Sequence, residues 1–206
     1  MDLKYCLREK ILAERKLFDE YKFHSENELI IDNVNTIINV LCKDLMVEEK
    51  NTVKLKTHDL EIFNSKNAIG LYLPIKGEPD LTKIMLYNNK IFGLPKIDDK
   101  QIKFVHYQVG AKLEKKAKGI LEPTSDVSLS PSIIIVPALA YSQKGHRLGF
   151  GCGHYDRYFS QQIDLGNRSI IKIGVCFDKY LLESLPNESH DIKFDYIVTD
   201  KIILKL

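Results

Sequence analysis

Leu3, Leu7, Ile11 and Phe18 recur at near-helical spacing between charged residues, and predict an amphipathic first helix. Ile30, Ile31, Val34, Ile37, Ile38, Leu41 and Leu45 form one apolar stripe, which predicts a second helix over about Glu28–Leu45. The stretch Lys50–Asn67 is more polar and less regular, and gives no clear element. Ala68–Leu73 is a short apolar run ended by Pro74 and reads as a strand. Gly77-Glu78-Pro79-Asp80 reads as a loop and the start of a helix, because proline suits a first helical turn. Lys90–Leu94 and Gln101–Tyr107 read as two further strands. Ser132–Val136 is the clearest buried strand, with consecutive β-branched residues stopped by Pro137. A glycine-rich loop follows, then a helix over about His154–Ile163, a strand over Ile170–Phe177 and a last strand over Phe194–Thr199.

This alternation predicts the α/β class: a mostly parallel sheet flanked by helices on both faces, a Rossmann-like three-layer arrangement preceded by N-terminal helices. The sequence carries no internal repeat, low-complexity tract or long linker, so one domain over residues 1–206 is expected. Apolar residues make up 44% and charged residues 28%, as in ordinary folded proteins. Thirty Lys and Arg stand against 28 Asp and Glu, a net charge of +2, which gives no bulk field for nucleic acid or membrane. Cys6, Cys42, Cys152 and Cys176 are scattered, as expected of free thiols in a reducing compartment. The densely charged start lacks the apolar core of a signal peptide, and no apolar run approaches bilayer length. The expected location is the cytoplasm.

The chemistry concentrates in Pro137–Arg157. Gly145, Gly149, Gly151 and Gly153 allow unusual backbone and close approach to a ligand. A helix starting directly after them aims a positive dipole end at an anion. Arg147 adds a fork of donors suited to phosphate oxygens. Asp156, in the first turn of that helix, suits Mg²⁺, which takes one or two carboxylates plus phosphate oxygens. Taken singly, each feature has a plainer reading: a turn, a surface arginine, an acid that complements the helix dipole. What distinguishes them is their concentration at the carboxyl end of the best strand, where open α/β sheets bind ligands. Two phosphate motifs are absent: no Gly-x-x-x-x-Gly-Lys-Ser/Thr loop exists, and Gly149-x-Gly151-x-Gly153 is neither spaced nor placed as a dinucleotide fingerprint.

Pro137, Leu139, Ala140, Gly145, Arg147, Leu148, Gly149, Gly151, Gly153, Tyr155, Asp156 and Arg157 resemble the Pro-x-Leu-Ala-Phe-Asp-x-x-Gly-x-Arg-Leu-Gly-Tyr-Gly-x-Gly-Tyr-Tyr-Asp-Arg signature of the 5-formyltetrahydrofolate cyclo-ligase family. The resemblance extends to Lys4, Arg8 and Arg15, to Tyr72-Leu73-Pro74 with Glu78, to Gly119–Pro123, and to Leu185-Pro186 with His190-Asp191. Departures are Tyr141-Ser142 for Phe-Asp, Phe150 and His154 for Tyr, and Cys152 for Gly or Lys.

The resemblance implies ATP-dependent closure of 5-formyltetrahydrofolate to 5,10-methenyltetrahydrofolate, with ATP as co-substrate and Mg²⁺ as metal. It implies catalytic roles for Arg147 and Glu78. It implies ATP contacts from Lys4 and Arg8 on one helix face and from the loop Arg147, Leu148, Gly149, Phe150, Gly151, Cys152, Gly153, His154 and Tyr155. Folate contacts would come from Leu73, Glu78, Phe150, Gly151, Cys152, Gly153 and His154, and metal-associated carboxylates from Asp156 and Asp191. The expected protein is a monomer whose partners are small molecules alone, with no nucleic acid and no membrane. A sugar-phosphate isomerase or CoA-transferase-like enzyme would need no ATP, and a folate- or nucleotide-binding module would bind without turnover.

Overall fold

A computed structural model describes residues 2–49, 68–88, 90–116, 119–167, 169–188 and 191–206, so the irregular stretch 50–67 and His190 lie outside the described residues. The first helix, α1, spans Leu3–Lys16. Asp2 caps it by accepting from the Lys4 N–H at 2.9 Å, and Arg15 and Lys16 complement the dipole at its other end. Phe18 lies beyond the helix, contrary to the stripe read from sequence. Its ring packs 5.6 Å from Phe23 and 5.1 Å from Phe177, pinning the link to the next helix. That helix, α2, spans Glu20–Glu49 and so starts eight residues before Glu28, the first residue of the expected helix. Its early turns are polar, and the start is signalled by the Asp19 carboxylate accepting from the Lys22 N–H at 2.8 Å. The buried face is the expected one at Ile30, Ile31, Val34, Ile37, Ile38 and Leu41, all in the core, while the side chain of Leu45 lies outside the described residues.

Among the described residues, the main sheet has seven strands in the order β12-β11-β9-β6-β1-β2-β3. These are β1 (Ala68–Gly70), β2 (Ile91–Asp98), β3 (Gln101–His106), β6 (Ile133–Pro137), β9 (Ile171–Val175), β11 (Tyr196–Val198) and β12 (Ile203–Lys205). The five inner strands are mutually parallel, and β3 and β12 close the edges antiparallel. Counted along the chain, the parallel strands lie in the order 2-1-3-4-5, which puts the topological switch point between β1 and β6. Every residue of β6 is buried, as its β-branched run predicts.

β2 is longer than expected. Pro95 has no N–H to offer β1, so pairing with β1 stops at Gly93 and the β2–β3 hairpin continues past the carboxyl edge of the sheet. A short antiparallel pair, β4 (Leu113–Lys115) with β5 (Leu121–Pro123), packs on that hairpin, and the Glu122 carboxylate accepts from the Ile97 N–H at 3.2 Å.

The helix expected at Pro79 starts later, as α3 (Ile84–Tyr87). The Asp80 carboxylate accepts from the Thr82 N–H at 2.9 Å and its hydroxyl at 2.7 Å, while Asn27 bonds both the N–H and the C=O of Asp80. These bonds hold Asp80 in a turn and delay the helix. After β6 come β7 (Ala140–Ser142), β8 (Arg147–Leu148) and α4 (His154–Asp164). β7 pairs antiparallel with β8 and parallel with β10 (Leu181–Leu182), a small second sheet. No helix among the described residues is long and apolar enough to cross a membrane.

Candidate functional site

Two chain segments leave the sheet at the switch point. The segment after β1 carries Leu73, Lys76 and Glu78. Glu78 is only 4% exposed, and one carboxylate oxygen accepts from the Ile75 N–H at 3.0 Å. Burial pushes its pKa up to about 7, against the lowering effect of the Ile75 bond and of Arg15, Arg147 and Lys76. Tyr72, beneath this turn, donates its hydroxyl to the Pro79 carbonyl at 2.6 Å. A buried carboxyl poised near neutrality at a switch point is a group that can accept from a ligand N–H or hold a proton.

The segment after β6 carries the glycines. Ser142 replaces the acid of the family signature, and its Oγ accepts from the His146 N–H at 3.1 Å, a turn-closing bond that an Asp side chain also makes. Tyr141, in place of Phe, is fully buried and satisfies its extra hydroxyl on the Val136 carbonyl at 2.9 Å. Gly151 (φ 91°) and Gly153 (φ 63°) hold the left-handed backbone that delivers the chain into α4. Gly153 is the N-cap residue, and no side chain among the described residues caps α4. A Cβ at Gly153 would also stand 2.8 Å from the Arg157 guanidinium. Arg157 donates to the Cys152 and Lys100 carbonyls at 2.9 Å each, fastening the loop to the tip of the β2–β3 hairpin.

Arginines line this loop from two sides. From α1, Arg8 Nε donates to the Gly149 carbonyl at 2.9 Å. From β8, Arg147 has a side chain only 9% exposed, pairs with Asp156 at 2.9 Å and lies 5.2 Å over the Tyr155 ring. Lys76 stands 5.1 Å over the Phe150 ring, linking the two segments. Lys4 donates to Asp191 at 2.9 Å and to Glu188 at 3.1 Å; burial opposes its charge, and these carboxylates hold its pKa above the ordinary value. The structure thus brings Lys4 to Asp191, Arg8 to the glycine loop and Arg147 to Asp156. Phe150 and His154 are half-buried in the loop, and Cys152 is exposed.

Both candidate metal carboxylates are therefore engaged by cations, Asp156 through one of its two oxygens. No three His, Cys, Asp or Glu side chains converge among the described residues. Such a donor set fits Mg²⁺, which draws most of its oxygens from phosphate and water, and does not fit a caged transition metal. Cavities of about 450 and 320 Å³ are lined by later turns of α4 with the β3 edge and with the start of β9. Neither contains a loop glycine, Glu78 or a cation of α1.

Arg15 is a residue the sequence reading placed in a pattern but gave no role. It is 7% exposed, and its guanidinium donates to the Ala138 carbonyl at 2.7 Å, to Leu139 at 3.2 Å and to Lys76 at 3.3 Å. The signal was its position four residues after Ile11, a charge on the buried face of the helix.

A family model described as the 5-formyltetrahydrofolate cyclo-ligase family matches residues 4–200. The 5-formyltetrahydrofolate cyclo-ligase of Haemophilus influenzae is 30% identical over 155 residues, covering 68% of this chain and 81% of that protein. The NMR structure of 5,10-methenyltetrahydrofolate synthetase from Aquifex aeolicus superposes with a TM-score of 0.72 at 30% identity, over 99% of this chain and 93% of the other. The structure of the synthetase from Mycoplasma pneumoniae, at 20% identity, shares the fold with a TM-score of 0.62, over 97% and 99% of the two chains.

Proposed function

The chain belongs to the 5-formyltetrahydrofolate cyclo-ligase family, and from that premise we propose that it closes 5-formyltetrahydrofolate to 5,10-methenyltetrahydrofolate with conversion of ATP to ADP and phosphate. The observation that carries the reading is the convergence, at one switch point, of an uncapped helix start, two arginines on a glycine loop and a buried carboxyl of raised pKa. The first two suit a polyphosphate and the last suits the N–H edge of a folate.

The formyl oxygen is a poor leaving group. Transfer of the γ-phosphoryl group to it makes an iminium phosphate; N10 then attacks the formyl carbon, and phosphate departs with the original oxygen. Such chemistry needs positioning and charge neutralisation rather than a nucleophilic side chain. Lys4 and Arg8 bind the phosphate chain from α1, and residues Arg147–Tyr155 wrap it. The Arg147 fork faces the charge that develops on the transferred group. Glu78, with Leu73, Phe150 and His154 around the folate, accepts from an N–H and holds N10 in line. Mg²⁺ neutralises phosphate charge when bound, and Asp156 and Asp191 are the residues that would hold it. The same reading has helices on both faces of the sheet in a Rossmann-like three-layer arrangement. It also has one domain over residues 1–206, a monomer working in the cytoplasm on small molecules alone.

Mixing the protein with MgATP and 5-formyltetrahydrofolate should raise the near-ultraviolet absorbance of the methenyl product; bound substrates with no such rise would make the chain a binding module. Asp156→Asn is expected to weaken the apparent Mg²⁺ affinity by about 10–100-fold, on the scale of losses at metal sites. Titrating Mg²⁺ against initial rate checks this, and an unchanged midpoint removes Asp156 from the metal.

A further inference from the structure

We infer that Arg15 is the positioning residue of the folate side of the site: from α1 it ties the segment after β1 to the end of β6 and so fixes where the Glu78 carboxylate stands. The inference rests on the reading of Glu78 as the folate carboxylate, and it concerns a residue that touches neither substrate in that reading.

Three carbonyls carry it. Arg15 Nη2 reaches Ala138 and Leu139, which follow β6, and Nη1 reaches Lys76, two residues before Glu78. One planar fork therefore bridges the two strands that flank the switch point, which a single ammonium cannot do. The Arg15 stem runs alongside this turn: a Cβ on Gly77, the residue between Lys76 and Glu78, would meet it at 3.5–3.7 Å, ordinary van der Waals contact. Tyr180 lies on the far side, its ring centroid 5.2 Å from the guanidinium carbon. Among the described residues, Arg15 Nε has no hydrogen-bond partner, and it is buried. A guanidinium kept so far from water with one donor unmet is an expensive way to cap strand ends. An electrostatic task at a neighbouring anion accounts for it.

That anion is Glu78. The charges that face it come from α1 (Arg15), from β8 (Arg147) and from its own segment (Lys76), and Arg15 is the largest of the three in holding its pKa down against burial. Tyr72 on its own segment, Tyr141 on β7 and Tyr155 on α4 complete its surroundings, all with pKa values raised by burial. The pair is reciprocal: burial lowers the pKa of Arg15, and Glu78 is the largest charge opposing that. Without the cation, Glu78 would be protonated over a wider pH range and could no longer accept from a folate N–H.

The test uses Arg15→Met, Arg15→Lys and Glu78→Gln, with kcat and both KM values measured from about pH 6 to 9. In the wild type, kcat/KM for 5-formyltetrahydrofolate should fall on the acid side with a midpoint near the Glu78 value of about 7. Arg15→Met should move that limb to higher pH and raise the folate KM about tenfold while leaving the ATP KM nearly unchanged. Arg15→Lys should leave the limb in place, since the charge remains, but still raise the folate KM because the fork is lost. If Glu78→Gln abolishes the limb and Arg15→Met does not move it, the inference is wrong and the reading of Glu78 stands. If Glu78→Gln leaves the limb and the folate KM intact, the reading of Glu78 itself falls. Should Arg15→Met fail to fold, Arg15→Lys decides: an equal rise in both KM values marks a purely structural residue.

Discussion

Arg147→Ala is expected to lower kcat by about 10²–10³-fold, the loss typical of removing one preorganised donor from a developing oxyanion. The side chain is only 9% exposed, so its charge acts in a medium that screens little. Its direction is set on two sides, by Asp156 at 2.9 Å and by the face of Tyr155. A Cβ at Gly149 would stand 3.3 Å from the guanidinium carbon, so the loop glycine leaves the fork just enough room. Arg147→Lys keeps the charge and loses the planar fork, and should recover about tenfold of the loss. Folding should suffer little, because Asp156 is 31% exposed and water can take over its released oxygen. Rates at saturating MgATP and folate, read from methenyl absorbance, check this. A variant with wild-type kcat would remove Arg147 from the reacting charges.

Gly174→Ala is expected to destabilise the fold by about 3 kcal/mol, the upper part of the usual range for overpacking. Gly174 sits in β9, between β6 and β11. Its added Cβ would stand 2.5 Å from both Cε1 and Cζ of the Tyr141 ring and 2.8 Å from Ile197. Tyr141 has nowhere to go: it is fully buried, packs edge-on to Phe194 at 5.1 Å and is bonded to Val136. For a chain of this size the loss corresponds to roughly 6–12 °C in Tm. Adding Tyr141→Leu should return most of it, with a coupling energy of at least about 1 kcal/mol in the double-mutant cycle. Thermal melts of the four proteins measure it, and purely additive losses would show that the ring does not set the space at 174.

What the sequence reveals tracks how local each signal is. β6 is legible because four β-branched residues in a row fit only a strand buried on both faces. α4 is legible because its glycines announce the start. The first two turns of α2 are not, because Tyr21–Asn27 has no apolar stripe and only the cap at Asp19 marks the beginning. β7, β8 and β10 are two or three residues long, too short for a period to register, and they exist because each pairs with a neighbour. The glycine loop and its arginines can be picked out as a site from composition and family likeness. The bond from Arg8 to Gly149 and the pairing of Asp156 with Arg147 cannot, since partners are chosen by the fold and not by spacing. Arg15 was visible as a charge on a buried helix face, but what it bonds to lies 61 to 124 residues away.

The cations of α1 meet the rest of the site across long stretches of chain: Arg8 and Gly149 are 141 residues apart, Lys4 and Asp191 are 187. Contacts of such separation carry a loop-closure entropy that local contacts do not. The first turns of α1 carry little apolar anchorage, with Leu3 at 71% and Tyr5 at 58% exposure. Little apolar burial therefore holds that end of the helix, which can open at lower cost than the buried strands of the sheet, taking Lys4 and Arg8 with it. On the proposed roles of Lys4 and Arg8, activity is then lost at a milder perturbation than the fold, and one helix end separates the two.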